Sequence, residues 1–282
     1  MPLPSSVLGL TGEPIHHRVD LRWLLSYSAG IGDTSSAVFG PNATAHPMFI
    51  VGPEWPAVLS VRRLGLEPGE DTRGVHASHD LTIHRPVRAG DELTTTATIV
   101  GVEAGRAGAA TWMRLATVDG AGEAVATTYQ RNVLLGVELR GDPASIDQAP
   151  PIPEPGQATD DGTGAAKVRT VDVTIGPHEA HIYTECSRIW NPIHTEWQAA
   201  ADNGLAFLLL HGTATLAKSV SAVDDLWGDG RRRIGRIICR FAAPVPMPTT
   251  LRVTAASDGS FSATLPDGAA ALRDGRVFWR PE

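Results

Sequence analysis

The spacing of apolar residues changes along this 282-residue chain, and the changes come twice in the same order. Residues 20–29 put Leu21, Leu24 and Leu25 on one helical face behind Asp20, whose carboxylate can cap the first turn. A loop rich in Gly and Pro follows, then a second helical stretch at 53–66 with a weaker period. Alternation with period two predicts strands at 77–84, 93–102, 110–118 and 124–133, and Asp119-Gly120 marks the hairpin between the last two.

The second half runs through the same plan. Val171, Val173 and Ile175 alternate in a strand at 168–175, and Gly176-Pro177 opens a helix with proline in its first turn. That helix must stop near Trp190, because Asn191 precedes Pro192 and a residue before proline is pushed out of the helical region. Thr195-Glu196-Trp197-Gln198 reads as a capping box opening a short helix that ends at Asn203-Gly204. Residues 205–223 are nearly all apolar or small, which predicts a helix buried on most sides. Strands follow at 234–242, 251–256, 261–265 and 276–280, with turns at Asp258-Gly259 and Asp267-Gly268.

Between the halves, residues 138–167 lose all hydrophobic period and gather Pro143, Pro150, Pro151, Pro153 and Pro155, the composition of a linker. The expected organisation is therefore a repeat at 1–137, a Pro/Gly-rich linker at 138–167 and a second repeat at 168–282. A strand, a Pro-Val turn and another strand occur in both halves, at Pro86-Val87 and at Pro244-Val245. In class the fold is α+β: two antiparallel sheets, each wrapping a central helix and together expected to form one continuous sheet.

Composition narrows the function. A formal charge of −7 with both signs interspersed offers no basic stripe for nucleic acid; Arg231-Arg232-Arg233 is the only tight basic run and reads as a solvated turn or a contact for a nucleotide phosphate. Cys186 and Cys239 cannot build a disulfide framework and suit a reducing compartment. With no apolar run of membrane-spanning length and no basic leader, a soluble, cytoplasmic chain is expected. Paired histidines stand at His178 and His181, and His76, His79 and His84 lie close in sequence. Neither group has a third ligand at zinc spacing, so no metal is expected.

The chemistry concentrates in two short segments, Asn191-Pro192-Ile193-His194 and Leu210-His211-Gly212-Thr213. Pro192 stiffens the turn that presents His194, a side chain able to move a proton near neutral pH. Gly212, at the start of a buried helix, bares a backbone N–H strengthened by the helix end, a donor suited to a carbonyl oxygen that gains negative charge. His211 reads as a local packing or hydrogen-bonding residue, and Trp190 as either a lid over the pocket or a core residue.

Together these segments resemble the MaoC-like (R)-specific enoyl-thioester hydratases in their double-hotdog form. That family writes the turn as Ser-Gly-Asp-x-Asn-Pro-x-His; here it reads Ser187-Arg188-Ile189-Trp190-Asn191-Pro192-Ile193-His194, with Ile189 at the aspartate position. The resemblance implies reversible hydration of a trans-2-enoyl thioester of coenzyme A or acyl carrier protein, with His194 as base and Asn191 holding the turn. Gly212 and His211 would lie on the substrate, with Trp190 beside them. No cofactor is implied beyond the thioester itself, and a homodimer is the expected partner state. The missing carboxylate leaves three readings: a substitute among Glu185, Glu196 and Asp33; His194 working alone; or an acyl-thioester-binding module or partner subunit without turnover. Asp33 follows the first helix much as the His194 turn follows the second-half helix, which predicts it beside a groove of the first half. A hotdog thioesterase is the other enzymatic alternative, since fold does not fix function.

Overall fold

The computed structural model describes residues 2–41, 43–65, 74–152, 166–228 and 232–281. The chain forms two compact units, one of Met1–Ala29, Thr34–Ala149 and Ser187–Ile189, the other of Gly30–Asp33, Pro150–Cys186 and Trp190–Glu282.

In the first unit, helix α1 (Leu21–Ile31) starts where Asp20 Oδ1 accepts a 2.7 Å bond from the Trp23 amide. A short helix α2 (Ser36–Phe39) and a 3₁₀ turn at Pro47–Ile50 lead into α3 (Val51–Gly65). The antiparallel sheet has the order β2 (Ile15–Arg18), β4 (Glu92–Glu103), β5 (Gly108–Asp119), β6 (Ala124–Leu135), β3 (Gly74–Ile83). Asp119 Oδ1 accepts from the Ala121 and Glu123 amides and closes the β5–β6 hairpin where Asp119-Gly120 placed it. Ala57, Val58 and Val61 of α3 pack on Ala97, Ile99 and Val102 of β4 and on Met113 and Leu115 of β5, all buried. α3 is thus the helix at the core of the first repeat. Its period is faint in sequence because Pro53 and Pro56 interrupt it and Glu54 lies on a buried face.

The stretch expected to be linker is partly built into this unit. β7 (Leu139–Arg140) pairs in parallel with β1 (Leu3–Pro4), β8 (Ala144–Ser145) pairs with β4, and Asp147 takes bonds from Arg114 (2.7 Å) and Tyr129 (3.1 Å). Polar side chains anchor this segment where apolar period does not. The remaining part at 153–165 lies outside the described residues, as does Arg231 of the basic run.

The second unit repeats the plan. β9 (Val168–Ile175) precedes α4 (Glu179–Ser187), then come a 3₁₀ turn at Pro192–His194, α5 (Trp197–Asp202) and α6 (Gly212–Trp227). The sheet order is β10 (Arg232–Phe241), β13 (Ala270–Pro281), β12 (Ser260–Thr264), β11 (Thr249–Ala256), β9. Leu216, Ala217, Val220 and Val223 of α6 are fully buried, and α6 packs on β9, β11 and β13. Each such Leu or Val contributes about 1.5–3 kcal/mol when buried.

Two local expectations change, and one buried charge stands out. The long helix begins at Gly212, not at 205: Leu210 N–H donates to the Val245 carbonyl at 2.9 Å and Leu209 bridges Pro246, so the apolar run ahead of His211 is buried extended chain. A short apolar run does not distinguish the two conformations by period. The capping box does not form, since α5 starts after Glu196 without a side-chain cap and Gln198 donates to Asp202 at 2.8 Å instead. Lys218 stands inside the apolar helix, its side chain 8% exposed, with Nζ 2.9 Å from the Ile31 carbonyl and 3.3 Å from Glu179 Oε2. Each unit, a sheet wrapping a central helix, is a hotdog, and the chain is a double hotdog. Among the described residues no helix is long and apolar enough to cross a membrane.

Candidate active site

The site is built in the second unit by the turn after α4 and the first residues of α6. α4 ends where Arg188 adopts φ 60°, outside the helical region. Asn191 then sits extended, and its side-chain oxygen accepts from the Ile193 amide at 3.4 Å. Pro192 occupies the first position of the 3₁₀ turn, and the His194 amide donates to the Asn191 carbonyl at 3.1 Å. Asn191 therefore holds the turn, as the sequence implied, by capping it.

The His194 ring has two fixed neighbours. Nδ1 lies 2.9 Å from the Leu209 carbonyl oxygen, and the ring stacks on His211 with centroids 3.8 Å apart at 28°. A carbonyl can only accept, so Nδ1 carries the proton and Nε2 is left as a lone-pair acceptor. Burial pushes the His194 ring down to about 4, partly opposed by the Leu209 bond. The ring is neutral at physiological pH, with its basic nitrogen opposite the carbonyl that holds it.

His211 is buried, 3% exposed, at the N-cap of α6, and its Nε2 lies 3.3 Å from the Thr184 hydroxyl of α4. Tyr183, one residue earlier, packs against the His211 ring and donates its hydroxyl to Thr213 at 3.0 Å. The His211 side chain makes no capping bond to α6. First-turn amides of a helix have no intrahelical acceptor, so those at the start of α6 call for an acceptor from outside the helix. Phe241 explains the glycine in packing terms: a Cβ at Gly212 would sit 3.2 Å from its ring.

The structure brings Asn191, His194, His211 and Gly212 together. Trp190, adjacent to the turn, is 60% exposed and not a core residue. Ile189 is buried at 5%, and its amide donates to Ser187 Oγ at 3.2 Å. Asp33 belongs, with the rest of Gly30–Asp33, to the second unit and is buried at 8%. There a Cβ on Gly32 would lie 3.9 Å from Lys218 Nζ. Lys218 stands six residues along α6 from Gly212, about 9 Å of helical rise. Glu185 and Glu196 are exposed, and the hydrogen-bond partner of the His194 ring is a carbonyl rather than a carboxylate. Sequence reasoning missed Tyr183, Thr184 and the Leu209 carbonyl; their contacts to the histidines span 15–28 residues and leave no periodic trace. The two histidine groups set aside as metal ligands contain ring pairs, His76 with His79 at 5.3 Å and His178 with His181 at 6.0 Å.

Residues 161–264 match the MaoC like domain, and residues 6–128 match the FAS1-like dehydratase domain region. No curated protein matches the chain. Among solved structures, a MaoC-like dehydratase from Phytophthora capsici is similar at TM-score 0.79 and 19% identity, over 99% of this chain and 97% of that one. The peroxisomal multifunctional enzyme type 2 of Drosophila melanogaster is similar at TM-score 0.73 and 21% identity, over 96% of this chain and 48% of that one. A conserved hypothetical protein from Mycobacterium tuberculosis with a double hotdog fold is similar at TM-score 0.61 and 15% identity, over 96% of this chain and 94% of that one. The MaoC like match thus falls on the second repeat and the FAS1-like dehydratase match on the first.

Proposed function

We propose that this chain, which joins a FAS1-like dehydratase region to a MaoC-like domain, is a hydro-lyase adding water reversibly to a trans-2-enoyl thioester to give an (R)-3-hydroxyacyl thioester. One observation carries the reading: the Nδ1–H bond to Leu209 leaves His194 Nε2 as a free base beside the uncapped start of α6. The water gives a proton to Nε2 as its oxygen bonds to C3. The electron pair of the double bond moves onto the thioester oxygen, where the Gly212 amide stabilises the enolate. The imidazolium then returns that proton to C2, so both hydrogens of the water end on the product. With Ile189 unable to accept a proton, His194 makes both transfers itself, and Asn191 holds it in place. Trp190, exposed beside the turn, covers the acyl group. The thioester is carried by coenzyme A or a carrier protein, and the working form is a cytoplasmic homodimer with the buried thiols Cys186 and Cys239 reduced.

The test follows the enoyl absorbance of crotonyl-CoA and of longer enoyl-CoA substrates in wild type and His194→Ala. Removing a general base lowers kcat by about 10²–10⁴-fold. Thioester binding without turnover in the wild type would make the chain a binding module, the reading that the buried Ile189 side chain favours. Release of free thiol would make it a thioesterase.

A further inference from the structure

We infer that His211 and Thr184 are positioning residues that hold the His194 ring in one plane and one tautomer; this rests on the reading of His194 as the base. The protein supplies its own comparison. His46 in the first unit and His211 in the second occupy the same place, the residue before the central helix segment, with nearly the same backbone: φ −52°, ψ 142° for His46 and φ −57°, ψ 137° for His211. Each packs against a tyrosine of an earlier helix, Tyr27 of α1 at 6.0 Å and Tyr183 of α4 at 5.1 Å.

Their rings nevertheless do different work. His46 Nδ1 accepts from the Met48 amide at 3.1 Å and so caps its helix. His211, on the same backbone, makes no capping bond; its Nε2 reaches Thr184 at 3.3 Å and its face lies under His194 at 3.8 Å. A stabilising cap has been given up in favour of a contact to the base. The stack sets the plane of the His194 ring, and the Leu209 carbonyl sets which edge points inward. Thr184 pins His211 so that its ring cannot swing back to the helix end. The other titratable groups around the turn are His181, whose Nε2 is 3.1 Å from the Thr195 carbonyl, and Glu196 at the start of α5; neither is hydrogen-bonded to the His194 ring.

The test is ¹⁵N NMR of the histidine side chains in the full chain, with kcat and KM measured in parallel. In wild type His194 shows a protonated Nδ1 and an unprotonated Nε2. His211→Ser, which supplies a capping hydroxyl and removes the ring, and Thr184→Val, which cuts the anchor, are both expected to mix the two His194 tautomers. They should lower kcat by about 10–100-fold, the scale of lost positioning, with KM within about twofold. His211→Phe keeps a flat ring in the stack and should keep the single tautomer. His46→Ser, the matched change in the first unit, should leave His194 signals and kcat unaltered. Unchanged His194 nitrogens in both His211→Ser and Thr184→Val would overturn the inference. The NMR result needs no turnover, so tautomer mixing in an inactive protein would sink the hydratase reading while leaving the positioning pair intact.

Discussion

Glu54 offers a direct measurement of burial energetics in the first unit. Its carboxyl lies in the first turn of α3, 3% exposed, and accepts the Thr128 hydroxyl at 2.5 Å. A helix start and a hydrogen bond both favour the charged form. Burial outweighs them and pushes the group up from 4.5 to about 8. The folded protein therefore binds a proton here that the unfolded chain has released, throughout the window from pH 4.5 to about 8. In that window the unfolded state carries fewer protons, so stability falls as pH rises. The contribution is fully present below 4.5 and lost on passing through 8. At 1.36 kcal/mol per pH unit, the loss reaches roughly 4–5 kcal/mol. Glu54→Gln keeps an acceptor for Thr128 and carries no charge at any pH. Urea titrations of both proteins at pH 5, 6, 7, 8 and 9 should give stabilities within about 1 kcal/mol of each other at pH 5 and a variant more stable by roughly 4 kcal/mol at pH 9. Parallel curves would mean that Glu54 is ionised in the folded state, and the desolvation argument would be refuted.

Two further outcomes concern the second unit. Lys218→Met keeps the buried methylenes but strands Glu179 and the Ile31 carbonyl; the expected loss is about 3 kcal/mol, since removing one partner of a buried pair leaves the other uncompensated. Calorimetry should show this as a Tm lower by roughly 6 °C, and an unchanged Tm would show that the ion pair contributes nothing. Gly259 and Gly268 both turn with positive φ, 83° and 84°, but a Cβ on Gly259 would lie 2.1 Å from the Val277 carbonyl whereas Gly268 has nothing near. Gly268→Ala should cost about 1–2 kcal/mol, the left-handed penalty alone, and Gly259→Ala clearly more; equal losses by denaturant titration would contradict the difference.

Much of the architecture is readable in the order of residues. The strands of both sheets, the Asp20 cap, the Asp119-Gly120 hairpin and the Asn191-Pro192 break depend on contacts within a few positions, where period and turn chemistry operate. The matches to hotdog dehydratase families over both halves agree with the doubled plan. The errors cluster where a distant partner overrides local preference. Residues 205–210 carry a helix-like run of leucines but pair with Val245 and Pro246. The start of the proline-rich stretch is held at Asp147 by Arg114 and Tyr129, 33 and 18 residues back. Lys218, a charge within an otherwise apolar helix, is held by partners from α1 and α4.

For the candidate site, the sequence pointed to Asn191, His194, His211 and Gly212, because proline and glycine write backbone geometry into local order, and the structure places these residues near one another. It could not say which nitrogen of His194 holds the proton, why His211 leaves its helix uncapped, or that Asp33 packs in the second unit. Those depend on the Leu209 carbonyl, the Thr184 hydroxyl and the path of the chain after α1, groups brought into contact only once both helices are packed on their sheets. A residue's identity fixes the proton it can carry; its neighbours in space decide whether and in which direction it carries it.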